Sequence, residues 1–527
     1  PRLRHLPLLA SAIHMFNPVN VQAVTYLSNR SSLLATLFYL LGFFYFIRFV
    51  HSLNSKEDWF HKLLNGSLFL LFLFLGAGTK AIIITLPVIA LTYLWFRVPR
   101  PDAKIFLVGT GLILVPLAAY LFHRYTQLGG IFKIQADPGS MSIDRVHYFL
   151  TQFHVLVFYY LSKCLLPLNL NFEPDVRLIS GISDPRWSLG LISLIIFAWG
   201  LCLQKSQLLK FAFFWFFVTV LPTSSLIPLK QIASEHRTYL PGLGISLCLA
   251  LLFIRQDRFV RQGFSIVLAF LILTSALTLN RGLDYRSEIS LWEDTARKSP
   301  RKALVHNNLA TAYIPEGRYE LAIRELETTL ELDPSTTNAH INMGRVYFLQ
   351  ERWRDSMRKF DQAILLGSPR PEAFYNAGLV RIRLELPGEA IPFFKEAVRI
   401  KSLNPEYRFN LGYAYQNAGL LDEALNEFRI TLAQDPNYYQ AHNNMGVIFW
   451  KIKAYERAEK KFLQALKFSK DIPKIHNNLV SIYMITKKYD KAVYHLNQLL
   501  KLQPENPKAL ELLPIATTLS ETIFNEK

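Results

Sequence analysis

The chain is poor in the groups that soluble catalysis usually needs. It has three cysteines in 527 residues. Cys164, Cys202 and Cys248 all stand in apolar surroundings without metal-ligand spacing, which reads as buried, reduced thiols rather than a zinc site or a disulfide frame. There is no phosphate-cradling glycine loop, no nucleophile elbow and no His/Cys cluster, so nucleotide-binding, hydrolase and metal readings have no local support. The sequence opens without a methionine or a secretory leader, and its first apolar run, residues 6–16, is too short for a bilayer that needs about 20 apolar residues. The expectation is a chain truncated at its N-terminus within a membrane helix.

Apolar side chains, in contrast, are abundant: 51% of residues are hydrophobic and 13% aromatic, concentrated before about residue 280. Charged residues, Asn and Gln dominate afterwards, which divides the chain between two solvents. The formal charge of +18 does not point to nucleic acid, because no basic run is interleaved with aromatics and many cations sit in short loops between apolar segments. Apolar runs at 31–50, 63–75, 81–96, 105–122, 146–166, 188–203, 208–226, 239–254 and 264–279 read as helices near membrane length. The basic turns 97–104, 205–210 and 255–261 are expected in the cytoplasm. For all three to lie there, one run must not cross; 146–166, which carries His147, Gln152, His154 and Lys163, is expected to lie along the interface or re-enter.

In the polar half, small residues recur every 34 positions at Ala310, Gly344, Gly378, Gly412 and Gly446, with Val480 sixth. That is the tetratricopeptide period. Twelve residues on stand Ala322, Ser356, Ala390, Ala424, Ala458 and Ala492, and four further on Leu326, Phe360, Phe394, Phe428, Phe462 and Leu496. The expected architecture is all-α: a polytopic membrane helix bundle over 1–282, a half-repeat connecting helix carrying Trp292 over 283–301, six repeats over 302–506, and a capping helix and tail over 507–527. No flexible linker separates bundle from solenoid.

Two residues before each small position stands an asparagine: Asn308, Asn342, Asn376, Asn410, Asn444 and Asn478. Such a column on the concave face could hold the backbone of an extended polypeptide, since a carboxamide offers a donor and an acceptor without reading side chains. Hydrogen bonding between neighbouring repeats is the other reading, and the sequence leaves both open. In the apolar half, Asp137, Asp144, Glu173, Asp175, Asp184 and Glu235 are acidic candidates in outward loops. Residues 234–241 bring Glu235, His236 and Arg237 together at a helix end. Arg suits a bidentate grip on phosphate, His236 adds a donor, and Lys80 and Arg30 are further cations at helix mouths. A local Glu235–Arg237 salt bridge and a snorkelling Lys80 are the plainer alternatives.

The segment from Phe16 to Leu40 resembles the HisPro-led segment of membrane-embedded glycosyltransferases with C-terminal tetratricopeptide repeats, whose animal members are the transmembrane and tetratricopeptide repeat O-mannosyltransferases. Residues 148–156, 166–171, 221–228 and 235–241 look like the bacterial branch. The resemblance implies a GT-C-type fold that moves a sugar, such as mannose, from a polyprenyl-phosphate carrier to a Ser/Thr or other hydroxyl on the outer membrane face. It implies no metal and no cofactor beyond the lipid-linked donor. Glu235, His236, Arg237, Lys80 and Arg30 would then lie near the donor phosphate, and the repeats would bind the acceptor or a partner polypeptide. The family's acidic catalytic residue lies in a loop upstream of this sequence, and its usual histidine is Asn17 here. The resemblance places the repeats in the periplasm of a bacterium, or in the endoplasmic lumen of a eukaryote. A non-catalytic membrane-anchored scaffold is the competing reading.

Overall fold

The computed structural model describes residues 6–25, 30–54, 58–97, 110–111, 144–224, 231–255, 262–367, 370–469 and 471–525. Its described residues are helical without a β-strand, and they form two compact units, Pro1–Ala312 and Tyr313–Lys527. All of the expected helix at 105–122 except residues 110–111, together with Asp137 and the basic turns 98–104 and 256–261, falls outside the described residues, as does the side chain of Arg30.

In the first unit, five helices are long and apolar enough to cross a membrane: Ser31–Leu53, Trp59–Ala77, Pro185–Leu203, Glu235–Ile254 and Ser265–Asp284. Leu6–Met15, Ile82–Phe96 and Gln207–Thr223 are shorter apolar helices. Their packing depends on small residues: a Cβ on Gly190 would meet the Phe153 backbone at 2.5 Å, and one on Gly244 the Ala212 carbonyl at 2.3 Å. Neighbouring backbones there are in direct contact. The 146–166 run is one continuous helical stretch, Arg145–His154, then a π-helical Val155–Leu161, then Ser162–Leu165. It is not among the five spans, and Tyr148, Thr151, Gln152, Val155 and Tyr160 on it are buried.

The polar interruption that follows the first helix is packed rather than looped into water. Asn17 caps the short 3₁₀ turn Pro18–Asn20 by accepting from the Val19 N–H, and its Nδ2 donates to the Cys164 carbonyl at 3.0 Å. Asn20 donates to the His14 carbonyl, and Gln22 to that of Phe172. All three amides are buried. Each amide nitrogen finds a partner, while Asn20 Oδ1 has none among the described residues.

The last apolar helix, Gln262–Asp284, runs past the expected end at residue 279. A capped turn at Ser287 starts the helix Glu288–Lys298, whose Trp292 meets Phe172 edge-on at 5.3 Å.

In the second unit, helices alternate in antiparallel pairs such as Thr337–Leu349 with Trp353–Leu365 and Tyr439–Lys451 with Tyr455–Phe468. The periodic residues make the core: Phe360, Phe394, Phe428 and Phe462 are fully buried and each ring lies against the glycine of the facing helix, where an added Cβ would approach it to 2.6–2.8 Å. The turn inside each pair places one residue in the left-handed region, Glu351, Glu385, Lys453 and Lys487 at φ 57–61° and Gly419 at 83°. Helix Pro507–Asn525 closes the array, with Ala509 and Ala516 buried.

Candidate functional site

The residues 234–238 form a 3₁₀ turn, Glu235–Thr238, that leads into the helix Tyr239–Arg255. In a 3₁₀ turn successive side chains point about 120° apart. Glu235, His236 and Arg237 therefore face different surroundings. The expected Glu235–Arg237 salt bridge is not among the ion pairs of the described residues: Glu235, fully buried, is bound by Arg281 at 3.3 Å and by the backbone N–H of Asn171.

Arg237 and Lys80 turn to the other side. The Arg237 guanidinium donates to the carbonyls of Gln231 and Ile232 and to the Tyr160 hydroxyl, at 2.8–3.4 Å. Lys80 donates to Ser32, two residues along the helix that begins at Arg30. Burial and then the positive charge of Arg237 lower the Lys80 ammonium to about 8. Among the described residues neither cation is paired with a carboxylate. His236 joins them on the turn, its Nδ1 at 2.7 Å from the Ser234 hydroxyl and its backbone N–H donating to Gln22 Oε1. The arrangement is a half-buried pair of cations beside an imidazole, with both cations donating to neutral oxygens, which suits an oxyanion.

The other acids have structural partners. Asp144 and Asp184 cap helices by accepting from the His147 and Arg186 N–H groups. The Arg186 side chain grips Asp184 as well and holds its carboxyl down at about 2. Glu173 is buried, bound by Lys302 and Gln231. Asp175 is exposed at the rim of a cavity of about 410 Å³ that His154 and Arg177 also line.

Behind Glu235 lies a cluster that the motifs did not reveal. Arg281, 4% exposed, binds Asp284 at 2.8 Å and Asp294 at 2.9 Å in addition to Glu235. Lys298 bridges Asp294 and the Leu170 carbonyl, while Ser299 joins the Asn171 amide to the Glu173 carbonyl. Arg281 was legible only as a cation near a helix end. Gln22 lay in the opening polar stretch without a sign of its partner.

In the second unit the asparagine column is partly engaged. Asn478 donates to Asn443 of the preceding repeat at 3.0 Å, and Asn443 donates to Asn444. Asn410 donates across a repeat to the Tyr375 hydroxyl at 3.1 Å. The Asn376 side chain has no hydrogen bond among the described residues. Hydrogen bonding between repeats therefore accounts for Asn478 and Asn410. On the first unit, Asn308 accepts from Asn307, and on the second Asn342 lies on the helix Thr337–Leu349.

Comparison with known families matches residues 307–363, 341–405 and 409–474 to one tetratricopeptide repeat family and 473–506 to another. Residues 307–506 are tetratricopeptide repeats. The chain is also 22% identical over 334 residues to Protein O-mannosyl-transferase F38B6.6 of Caenorhabditis elegans, a match covering 62% of this chain and 45% of that protein. It is 31% identical over 163 residues to Protein O-mannosyl-transferase Tmtc3 of Drosophila melanogaster, covering 28% and 17%. The chain thus spans less than half the length of these relatives. The first match covers more of the chain than the repeats and their flanking helices can supply, so it reaches into the apolar half. Among solved structures, the tetratricopeptide repeats are similar to YrrB, described as a TPR protein with an unusual peptide-binding site (27% identity, 37% of this chain, 97% of that one, TM-score 0.33), and to Pseudomonas aeruginosa pilF (20%, 40%, 96%, 0.35).

Proposed function

We propose that this chain is part of a membrane glycosyltransferase in which Lys80, His236 and Arg237 hold the phosphate of a polyprenyl-phosphate sugar and the repeats hold a polypeptide acceptor or partner. The observation that carries the reading is that Lys80 and Arg237 donate to neutral oxygens, those of Ser32, Tyr160, Gln231 and Ile232, and that neither is paired with a carboxylate among the described residues. The names of the two relatives, and the extension of one match into the apolar helices, support it. In the transfer an acceptor hydroxyl oxygen bonds to the anomeric carbon, the bond from that carbon to the phosphate oxygen breaks, and the hydroxyl proton passes to a base. The leaving phosphate gains negative charge as the bond breaks, and fixed cations stabilise it most at that moment. No base is assigned: the buried acids Glu235, Glu173 and Asp294 are all held in ion pairs. The sugar, mannose in the leading version of this reading, is taken up on the outer membrane face, in a periplasm if the source is bacterial.

The commitment of those acids is also the observation that favours a second reading, a membrane-anchored scaffold whose repeats assemble partners. Transfer of labelled mannose from polyprenyl-phosphate mannose to protein, measured with the full-length protein in lipid nanodiscs, separates the two. Turnover that falls about tenfold or more in Arg237→Ala supports the transferase. No turnover by the folded parent under any donor tried supports the scaffold, and turnover that ignores Arg237→Ala refutes the phosphate role.

A further inference from the structure

The Arg281 cluster is oddly placed for a stabilising core. Seven ionisable side chains, Glu173, Glu235, Arg281, Asp284, Asp294, Lys298 and Lys302, gather where the last apolar helix turns into the helix Glu288–Lys298. Removing such charges from water costs several kcal/mol per ion, and geometry alone rarely repays it. Two polar groups in the cluster's midst, Arg281 Nε and the Tyr159 hydroxyl, are buried without a partner among the described residues. A network built only for stability would satisfy them.

What the cluster touches suggests its task. Its inner end is Glu235, the first residue of the turn whose next two residues are His236 and Arg237. That turn is clamped at several points: Arg281 and the Asn171 N–H hold the Glu235 carboxylate, Gln22 accepts the His236 N–H, and the Tyr160 hydroxyl accepts from both the Ser234 N–H and Arg237. Thr238 closes it by donating to the Glu235 carbonyl at 2.6 Å. None of these groups needs to meet a ligand to fix where Arg237 points.

We propose that Glu235 is a positioning residue for the cation site: Asp294 and Asp284 hold Arg281, Arg281 holds Glu235, and Glu235 fixes the turn that presents His236 and Arg237 beside Lys80. This rests on the phosphate reading above, and it reassigns Glu235 from ligand contact to support. It also makes the helix Glu288–Lys298, which supplies Asp294, a structural part of the site rather than a connector.

The sign of one substitution tests it. Asp294→Asn removes a negative charge. If the cluster acts on an anion only through its field, the loss of that charge tightens binding; if it acts by positioning, binding weakens. With farnesyl phosphate as probe, the folded chain in detergent, and inorganic phosphate and farnesol as controls, Asp294→Asn is expected to weaken binding by about fivefold or more. Hydrogen exchange at the amides of residues 235–238 is expected to quicken by about tenfold in the same variant without ligand. Glu235→Gln keeps an oxygen for the Asn171 N–H and carries the same sign test should Asp294→Asn fail to fold. Tighter or unchanged binding with unchanged exchange overturns the proposal. Binding by the parent chain that is indifferent to Lys80→Met overturns the phosphate reading instead, while faster exchange in Asp294→Asn would still support the clamp. Binding of inorganic phosphate as tight as that of farnesyl phosphate identifies a free anion as the ligand, and farnesol as tight as its phosphate counts against any anion site.

Discussion

Replacing Gly446 with alanine puts a methyl group 2.6 Å from Cε1 of Phe462 and within 2.9 Å of two more ring atoms. The ring is 1% exposed and has nowhere to retreat without disturbing its neighbours. Overpacking of this kind costs about 1–3 kcal/mol, whereas the helix gains about 1 kcal/mol from losing a glycine, so the net destabilisation is about 1 kcal/mol. Phe462→Leu alone leaves a gap worth about 1–1.5 kcal/mol. Together they should repair one another, because the first and sixth repeats already combine Ala310 or Val480 with a leucine, Leu326 or Leu496, at the matching positions. The expected coupling is about 1–2 kcal/mol. Because repeats open locally, hydrogen exchange over Tyr439–Lys451 and Tyr455–Phe468 in the full chain reads it, a tenfold change in protection corresponding to about 1.4 kcal/mol. Additive effects, within about 0.5 kcal/mol, would refute the claim that small-on-large matching sets the helix spacing.

Farnesyl phosphate binding should weaken as pH rises through about 8, where Lys80 loses its proton, and Lys80→Arg should remove that dependence; isothermal titration at pH 7 and 9.5 checks both. His495, buried against His476 at 2.9 Å, is held down at about 4, by burial first and then by His476 and Lys491, so the unfolded chain binds the extra proton between about 4 and 6.5. Stability of the last repeat should therefore be complete above pH 6.5 and fall as pH drops towards 4, by about 2 kcal/mol after allowance for partial solvation, and His495→Phe should flatten the curve in a thermal-shift series. Asn17→Asp keeps the cap on the Pro18–Asn20 turn but cannot donate to the Cys164 carbonyl; a loss of about 1–3 kcal/mol in detergent unfolding is expected, and an unchanged midpoint would deny that bond a role. Asn376→Ala should weaken peptide capture without shifting the unfolding midpoint, whereas Asn478→Ala should shift it, as only the latter joins repeats.

The repeats were legible because a 34-residue period records packing directly: the residues that must be small and those that must be large face each other, as Gly344 and Phe360 do. The apolar helices were legible from length and hydropathy, although Arg281 was missed because its helix continues beyond the apolar run. The candidate site was legible as a group of residue types and not as an arrangement. Glu235, His236 and Arg237 are adjacent in sequence, yet the 3₁₀ turn Glu235–Thr238 sends Glu235 away from the other two, and the partners that hold the turn lie 46 residues away at Arg281 and 214 away at Gln22. Asn17 reads as the loss of an ionisable group, while the structure gives its amide two hydrogen bonds of its own.

The left-handed turn residues of the repeats have a consequence for engineering the array. Glu351, Glu385, Lys453 and Lys487 occupy a backbone region in which a side chain costs about 1–2 kcal/mol, while Gly419 occupies the equivalent place without that strain. Glycine at each of the four would release about 1 kcal/mol, after the entropy that glycine loses on folding. The solenoid can thus be made harder to unzip at its turns without altering one of its six ladder asparagines.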